Sequence, residues 1–344
     1  MNNTVDFFVF PFHNLNDFEL SSVVSQSQLS YNDFKNMYFD FATLDEAVTI
    51  DDNLDPDRGF FDNVDLKFQS NFFTVDEFNN FNKDFSSCRM SIVFNNIRSI
   101  HQNFENFCLS YLNNLQNDFD IIGFCETRLN DDISNLYTID NYNMVSNCRN
   151  TKGGGVSLYV KDDIEHSIID EITFMNDCIE TLFIKCKRKT DLNIVGIVYR
   201  RPNSNIRSFL KYLDLIVQKI KNMKLKCTIM GDFNLDLLKY NENDCVKEYI
   251  SIMFSGGFFS LINRPTRVGN RSATLICHLW SNDFETVHNG GILMSDISDD
   301  FTLFSYIQPQ NSQHNDVTVN YRLYDHKSID LFNSRLSSAL NEVF

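Results

Sequence analysis

Short apolar runs alternate with amphipathic stripes along the middle of the chain. Six of the runs are rich in β-branched and aromatic residues and are bounded by polar or turn residues, which is typical of strands. The predicted strands are Met90–Phe94, Asp120–Phe124, Val156–Val160, Thr181–Lys185, Asn193–Tyr199 and Cys227–Met230. Three stripes, within residues 104–115, 206–220 and 246–253, place apolar residues on one helical face. Strands that alternate with helices predict a layered α/β or α+β domain.

The two ends of the chain do not share this pattern. Residues 1–88 contain 4 basic and 16 acidic residues, a net charge of −12, and their phenylalanines follow neither a helical nor a strand period. We therefore expect an acidic, largely disordered leader over 1–88, a domain over 89–308, and a tail or truncated linker over 309–344. A leader that binds a partner through its acidic and aromatic residues is the less favoured alternative.

The composition of the whole chain excludes several classes of protein. The net charge of −16 argues against a chain that coats nucleic acid by bulk charge, although residues 89–308 are nearly neutral. No apolar run is long enough to span a bilayer and no basic segment opens the chain. We therefore expect an intracellular protein, nuclear or cytoplasmic, without a membrane partner. Nine cysteines without a C-x-x-C pair disfavour disulfides and zinc sites.

Polar side chains follow the carboxyl ends of four predicted strands. They are Asn96, Glu126, Tyr199, and the pair Asp232 and Asn234. Because ligands of α/β sheets bind at strand ends, we expect these side chains to meet in one cleft. Carboxylate and amide oxygens suit Mg²⁺ or Mn²⁺. A metal combined with Asn, Tyr and Arg donors indicates phosphate-ester hydrolysis.

Eight motifs in unbroken order resemble those of one family. They read N-I-R-S (96–99), E-T-R-L (126–129), G-G-G-V (153–156), V-Y-R-R-P (198–202), G-D-F-N-L-D (231–236), P-T-R (265–267), S-A-T-L-I-C-H (272–278) and S-D-D-F (298–301). They are similar to the apurinic-type endonuclease domain of LINE-type (non-LTR) retrotransposons, in the endonuclease/exonuclease/phosphatase superfamily. The resemblance implies a four-layer sandwich of two packed mixed β-sheets flanked by helices. It also implies Mg²⁺-dependent nicking of double-stranded DNA, which leaves a 3′-hydroxyl primer.

The same resemblance implies a role for each matching residue. Glu126 matches the metal ligand, and Asn96 matches the amide that supports it. Tyr199 matches the tyrosine that contacts the scissile phosphate. Asp232 matches the aspartate that orients or deprotonates the attacking water, Asn234 the amide that stabilises the transition state, and Asp299 the aspartate that orients the final histidine. The candidate DNA contacts that flank these motifs are Arg98, Arg128, Arg200, Arg201 and Arg267.

Two positions depart from the family pattern. Cys277 stands where the family has a catalytic aspartate, and Asp300 stands where it has the catalytic histidine. A neutral thiol is a poor ligand for a hard cation, and an ionised carboxylate cannot donate a hydrogen bond to a phosphate oxygen. His278 is a further candidate in the site, although a packing or hydrogen-bonding role is the preferred interpretation. We therefore expect a degenerate active site and impaired activity.

Two alternative functions stay open on the sequence. One is a phosphoesterase of the same superfamily that acts on lipid or sugar phosphates, and the other is a catalytically dead remnant that binds DNA or a protein partner. The P-T-R and S-A-T-L-I segments favour the retrotransposon branch. In an intact element of this kind a reverse transcriptase domain follows the endonuclease. None precedes Phe344, so we expect a truncated copy.

Overall fold

The computed structural model describes residues 70–85, 88–130, 136–148, 153–188, 191–269, 272–284 and 286–309. Its strands are β1 (Asn71–Phe73), β2 (Met90–Asn96), β3 (Ile121–Cys125), β4 (Tyr142–Asn147), β5 (Val156–Lys161), β6 (Glu165–Ile168), β7 (Ile179–Arg188), β8 (Asp191–Arg200), β9 (Lys226–Asp232), β10 (Phe259–Ser260), β11 (Arg267–Val268), β12 (Ala273–Thr274), β13 (Cys277–Ser281), β14 (Thr286–Leu293) and β15 (Thr302–Pro309). Its helices are α1 (Val75–Asn82), α2 (Ile100–Asn106), α3 (Ile206–Met223) and α4 (Asp244–Ser255), and a π-helical segment spans Phe107–Leu112. Within these residues, no helix is long and apolar enough to cross a membrane.

Two mixed sheets form the centre of the fold. The first sheet has the strand order β1–β14–β15–β2–β3–β5–β4, and the second has the order β10–β13–β9–β8–β7–β6. Parallel pairs (β2 with β3, β8 with β9) lie among antiparallel neighbours in both sheets. Strands β11 and β12 form a separate hairpin. The predicted fold class, an α/β sandwich of two packed mixed sheets with helices, is confirmed.

Alternation along the strands divides the apolar side chains between the layers. In β2, Ile92 and Phe94 belong to the core that includes the second sheet, whereas Val93 packs into the cluster beneath α1 and α2. Helices α3 and α4 bury their apolar faces in the same core as the second sheet. Gly123 on β3 faces the second sheet, and a Cβ atom there would lie 2.4 Å from the Sδ of Met230 on β9. A larger residue at 123 would therefore displace the Met230 side chain.

The elements predicted from the apolar pattern are present with small changes in length. The six predicted strands correspond to β2, β3, β5, β7, β8 and β9. The two later helical stripes correspond to α3 and α4. The first stripe is divided between α2 and the π-helical segment, because Phe107, Tyr111 and Leu115 all remain buried against the first sheet.

The expected domain boundary at residue 88 is wrong for the part of the leader that the structure describes. Strand β1 pairs in parallel with β14, so residues 71–73 extend the first sheet. Helix α1 begins with a capping box, in which Thr74 and Glu77 satisfy each other's backbone amides. Phe78 and Phe85 are buried against the same sheet. Residues 1–69 and 310–344, which hold the rest of the predicted leader and tail, lie outside the described residues.

The phenylalanines of this segment had no single period because three kinds of structure follow one another. Phe72 lies in a strand, Phe78 in an α-helix, and Phe85 in a 3-10 turn, all within 14 residues. Each structure presents its buried side at a different spacing. The rings still converge, since Phe78 lies 4.9 Å from Phe304 and Phe85 stacks 4.8 Å from Tyr306 between ring centroids. The segment 70–85 therefore belongs to the folded domain.

Phe78 provides a test of this corrected boundary. We expect Phe78→Ala to lower the free energy of unfolding by about 3–5 kcal/mol, because a fully buried ring is removed and a cavity remains. Phe284→Ala is the matched control, since Phe284 is 55% exposed, and its cost should stay below about 1 kcal/mol. Urea unfolding of the full chain measures both variants. Equally small losses would contradict a structural role for residues 70–85.

Candidate active site

The strands that carry the candidate residues end at one edge of the two sheets. β2 and β3 run parallel in the first sheet and β8 and β9 in the second, so Asn96, Glu126, Tyr199 and Asp232 lie at their carboxyl ends. Strands β15 and β13 run antiparallel to β2 and β9, so their starts reach the same edge. Cys277, at the start of β13, is the register partner of Asp232. The topology thus gathers residues from six chain segments.

Asn96 is the centre of this cluster. Its Nδ2 donates to Asp232 Oδ2 at 2.9 Å, to Asp300 Oδ2 at 3.2 Å and to Glu126 Oε1 at 3.3 Å. One amide group therefore joins three carboxylates. Asn96, Asp232 and Asp300 are all buried, whereas the Glu126 side chain is 19% exposed and forms the open side of the cluster.

The concentration of negative charge perturbs the two buried aspartates. Burial, followed by the nearby Asp300 carboxylate, raises the pKa of Asp232 well above its ordinary value. Burial raises the pKa of Asp300 to about 6, and the Arg267 guanidinium limits this rise. Among the described residues, Asp300 Oδ1 has no hydrogen-bond partner, and the same is true of the buried Asn96 Oδ1. Two buried oxygens of the cluster are therefore without a hydrogen-bond donor among the described residues.

These oxygens fit a hard divalent cation. The donor set consists of carboxylate and amide oxygens, which Mg²⁺ and Mn²⁺ prefer. Asn96 Oδ1 is unpartnered and Glu126 has the most exposed carboxylate of the cluster, so these two residues would hold the ion. Where the structure describes the chain, no three His, Cys, Asp or Glu side chains form a metal-holding group. The fit therefore depends on the Asn96 amide oxygen.

The strand exits adopt strained backbone conformations. Glu126 has φ 53°, Arg128 has φ 53° and Asn234 has φ 48°, all in the left-handed region that residues with a Cβ atom rarely occupy. Such conformations cost free energy and persist only where surrounding contacts hold them. Their occurrence in two separate motifs at this edge marks it as a candidate functional site.

The loop after β9 is held by contacts with the loop after β8. The backbone N–H of Asn234 donates to Asp232 Oδ1 at 2.9 Å, and its Nδ2 donates to the Arg200 carbonyl at 2.8 Å. The Arg200 guanidinium donates in return to the carbonyls of Asn234 and Ser204, both at 3.1 Å. Arg200 is only 4% exposed, so its assignment as a DNA contact is wrong. It positions the two loops instead.

Tyr199 and Glu180 form a second polar pair beside the cluster. They are register partners on β8 and β7, and both are buried. Burial, then the Glu126 and Asp232 carboxylates, raises the pKa of Tyr199, so its hydroxyl keeps its proton at neutral pH. Glu180 Oε2 accepts from the backbone N–H of Gly155 at 2.5 Å. A Cβ atom on Gly154 would lie 2.3 Å from Glu180 Oε1, so the glycine at 154 leaves room for this carboxylate.

Sequence reasoning missed Glu180 and Thr266. Glu180 is a charged residue inside the apolar strand β7, and that contrast was the available signal. Thr266 belongs to the P-T-R motif, and its hydroxyl accepts from the backbone N–H groups of Ile276 at 3.3 Å and Cys277 at 3.1 Å. Nothing in the sequence pairs Thr266 with the start of β13, because that contact arises only from the hairpin of β11 and β12.

The four remaining arginine candidates lie at the rim of the site. Arg98 and Arg267 both donate to Asp299 Oδ2, the latter at 2.7 Å. Arg128 lies 3.9 Å from Glu126 Oε2, and Arg201 pairs at 3.8 Å with Asp177, which is fully exposed. These side chains are between 33% and 51% exposed.

The two positions that depart from the family pattern both lie in the cluster. Cys277 is fully buried, and burial followed by the Asp300 and Asp232 carboxylates raises its pKa well above the ordinary value. The thiol is therefore neutral. Asp300 accepts from Asn96 and forms an isolated β-bridge with Arg267. The carboxylate that the cluster lacks at residue 277 is thus replaced by one at residue 300.

His278 does not reach the cluster, and its inclusion among the catalytic candidates is wrong. Successive residues of a strand point to opposite faces, so His278 points away from the side that Cys277 occupies. Its Nδ1 shares a hydrogen bond of 2.9 Å with the Tyr249 hydroxyl, and its Nε2 lies 3.0 Å from the Leu275 carbonyl. The ring also stacks on Phe233. His278 therefore joins β13 to α4 in the core.

The chain matches one family profile in sequence and several solved proteins in structure. The profile described as the Endonuclease/Exonuclease/phosphatase family matches residues 85–292. The endonuclease domain of TRAS1, a telomere-specific non-LTR retrotransposon, is 11% identical with a TM-score of 0.49, over 64% of this chain and 100% of that one. The human Nocturnin catalytic domain is 13% identical with a TM-score of 0.48, over 64% and 93%. The Xenopus laevis APE2 catalytic domain is 15% identical with a TM-score of 0.48, over 65% and 94%. No curated protein matches the chain.

The buried state of His278 predicts a pH dependence of stability. Burial lowers its pKa from 6.5 to about 4, so the unfolded chain binds a proton in a pH range where the folded chain does not. The free energy of unfolding should therefore fall by up to about 3 kcal/mol as the pH falls from 6.5 to 4. His278→Gln should remove this component in urea unfolding, whereas the control His166→Gln should retain it. An unchanged pH profile in His278→Gln would contradict the assignment.

Proposed function

The chain belongs to the endonuclease/exonuclease/phosphatase family, and on that basis we propose that it is the DNA endonuclease domain of a LINE-type retrotransposon with a degenerate active site. Members of this family are hydrolases that cleave phosphoester bonds. The observation that carries the proposal is the contact of Asn96 with Glu126, Asp232 and Asp300. These residues occupy four positions of the cleavage motif, in the order that the retrotransposon branch has.

Glu126 and Asn96 would hold the divalent cation, Mg²⁺ or Mn²⁺. When bound, the ion supplies Lewis-acid stabilisation of the charge that develops on the phosphate. The Arg128 guanidinium, 3.9 Å from Glu126, stands on the open side of the carboxylate. Asn96 Oδ1, which has no hydrogen-bond partner among the described residues, would supply the amide ligand.

Asp232 would orient the attacking water and accept its proton. Its two oxygens are fixed separately, Oδ2 by the Asn96 amide and Oδ1 by the Asn234 backbone N–H. A carboxylate held at both oxygens keeps its remaining lone pairs in fixed directions, which is what positioning a water requires. One N–H of the Asn234 amide donates to the Arg200 carbonyl and secures the loop, and the other would donate to the phosphate.

Tyr199 would donate its hydroxyl proton in a hydrogen bond to a phosphate oxygen. The raised pKa keeps the hydroxyl protonated, so it acts as a donor beside the Glu126 and Asp232 carboxylates. Donors directed at the charge of the transition state are among the larger contributions to catalysis. The half-exposed Arg98, Arg128, Arg201 and Arg267 would contact the backbone of double-stranded DNA around the cluster.

The two substitutions impair this arrangement in different ways. The Cys277 thiol cannot replace a carboxylate as an acceptor for water, because burial keeps it neutral. Asp300 places an acceptor where a histidine would donate to the phosphate, and its ionised form repels the phosphate. We therefore infer that the loss at residue 300 is the more damaging of the two.

Nicking of supercoiled plasmid DNA in the presence of Mg²⁺ tests the proposal. We expect the double revertant Cys277→Asp, Asp300→His to nick at least about 10²-fold faster than the parent, because a donor and a carboxylate are restored. Asp300→His alone should recover more than Cys277→Asp alone, since it also removes a negative charge beside the phosphate. The two gains need not multiply, because both serve one transition state.

Several outcomes would contradict the endonuclease proposal. One such outcome is a revertant that circular dichroism shows to be folded but that does not nick DNA. Release of phosphate from inositol or sugar phosphates without nicking would favour a phosphoesterase of the same family. Binding of DNA by parent and revertant without turnover would favour a non-catalytic remnant.

Thermal unfolding tests the cation site without measuring activity. Millimolar Mg²⁺ should raise the melting temperature of the parent, because a ligand that binds only the folded state stabilises it. Glu126→Gln should reduce this rise, since a carboxylate ligand is lost. The control Glu165→Gln changes an exposed carboxylate on β6 and should keep the full rise. An equal rise in melting temperature in all three proteins would contradict the assignment of Glu126 as a cation ligand.

A further inference from the structure

Three charged side chains from separate elements meet at the rim of the candidate site. Arg98 follows β2, Arg267 begins β11, and Asp299 lies in the loop between β14 and β15. Both guanidinium groups donate to the same carboxylate oxygen, Asp299 Oδ2, with Arg267 at 2.7 Å. A single carboxylate therefore pairs with two arginines, and the group keeps a net charge of +1.

The family role of Asp299 cannot operate in this chain. That role is to orient a histidine at the next position, and the next residue here is Asp300. Two neighbouring carboxylates do not hydrogen-bond to each other when both are ionised. Asp299 instead contacts Arg98 and Arg267, so the partners it has are cations.

The three side chains are accessible to a ligand. The side chains of Arg98, Asp299 and Arg267 are 51%, 43% and 39% exposed. Ion pairs this exposed contribute little to stability, so breaking them costs little. A guanidinium fork matches a phosphate at least as well as a carboxylate, and binding DNA also releases counterions. A backbone phosphate could therefore displace Asp299 from both arginines.

The position of this group also fits a phosphate next to the reacting one. Residue 267 forms a β-bridge with Asp300, and Asp300 contacts the central Asn96. The two arginines are therefore connected to the carboxylate cluster by separate routes, Arg267 through its β-bridge with Asp300 and Arg98 through the chain, two residues after Asn96. Arg98 has φ 56°, a left-handed conformation that turns the chain at this point.

We propose that Arg98 and Arg267 form a phosphate-binding subsite for DNA, and that Asp299 occupies this subsite in the free protein as an internal competitor. This inference rests on the proposed function, because the ligand is a phosphodiester of the DNA backbone. DNA binding then transfers the two arginines from the Asp299 carboxylate to a phosphate. Asp299 lowers the DNA affinity of this chain instead of supporting catalysis.

Fluorescence anisotropy with a labelled DNA duplex in EDTA tests this subsite without turnover. Asp299→Asn should bind the duplex about 3- to 30-fold more tightly than the parent at low salt, because two weak ion pairs no longer compete. Adding Arg98→Gln or Arg267→Gln to Asp299→Asn should abolish the gain. For Asp299→Asn, the slope of log affinity against log salt concentration should increase in magnitude by about 1 to 2, because each arginine that reaches a phosphate adds about 1 to the slope.

Asp296→Asn is the matched control for charge. Asp296 is an exposed aspartate three residues away in the same loop, and no ion pair to it is present among the described residues. The substitution Asp296→Asn removes the same charge without releasing an arginine. It should therefore change the affinity for the duplex much less than Asp299→Asn does. An equal gain in Asp296→Asn, or no gain in Asp299→Asn, would overturn the proposal.

The test separates this proposal from the proposed function. If the revertant at residues 277 and 300 nicks DNA but Asp299→Asn gains no affinity, only the subsite is wrong. If Asp299→Asn gains affinity through both arginines but the revertant never nicks, the subsite stands and the endonuclease proposal fails. Circular dichroism of each variant shows whether it is folded.

Discussion

A single amide group joins the two sheets at the candidate active site. Asn96 ends β2 of the first sheet, and its Nδ2 donates to Asp232, which ends β9 of the second sheet, at 2.9 Å. The same group contacts Asp300 and Glu126. Without this donor, carboxylates from three chain segments would face one another in a buried place, at a high cost in free energy. The cluster therefore depends on how the two sheets pack, because Asn96 and Asp232 lie on different sheets.

The two substitutions at the cluster conserve its charge while they change its chemistry. Relative to the family motif, Cys277 removes one carboxylate and Asp300 adds one, so the number of acidic groups around Asn96 is unchanged. Both residues are buried, and their positions lie on opposite sheets. An ionised carboxylate cannot donate a hydrogen bond as an imidazole can. Under the proposed function, the site therefore keeps the number of its carboxylates but has one hydrogen-bond donor fewer.

The segment 70–85 stabilises the side of the first sheet from which the site loops extend. Strand β1 covers the edge of β14, which would otherwise leave backbone groups unpaired. Ser70 and Asn263 exchange hydrogen bonds of 2.9 to 3.1 Å, which ties the entry of the segment to the residues just before the P-T-R motif. Phe72 packs against Phe301, the residue after Asp300. The N-terminal aromatic residues are therefore connected to the site through the core.

Patterns in the amino-acid sequence were enough to predict the strands and helices and the candidate positions at their ends. The period of apolar residues identified β2, β3, β8 and β9, and the ordered motifs identified Asn96, Glu126 and Asp232. Local patterns suffice for these elements because the spacing of apolar residues within a strand or helix shows which of its faces is buried. The spacing of the phenylalanines in residues 70–85 did not predict their structure. A strand, an α-helix and a 3-10 turn follow one another there, so the spacing has no single period.

Which side chains meet depends on the packing of the sheets and loops. Arg200 and His278 belong to motifs and still point into loops and core, because the direction of a side chain depends on strand register and on neighbours distant in sequence. The pairing of Asp299 with Arg98 and Arg267 joins residues about 200 and 32 positions apart. Hydrogen bonds and charge interactions act over a few ångströms in space, so their partners are set by how the sheets and loops pack and not by order along the chain.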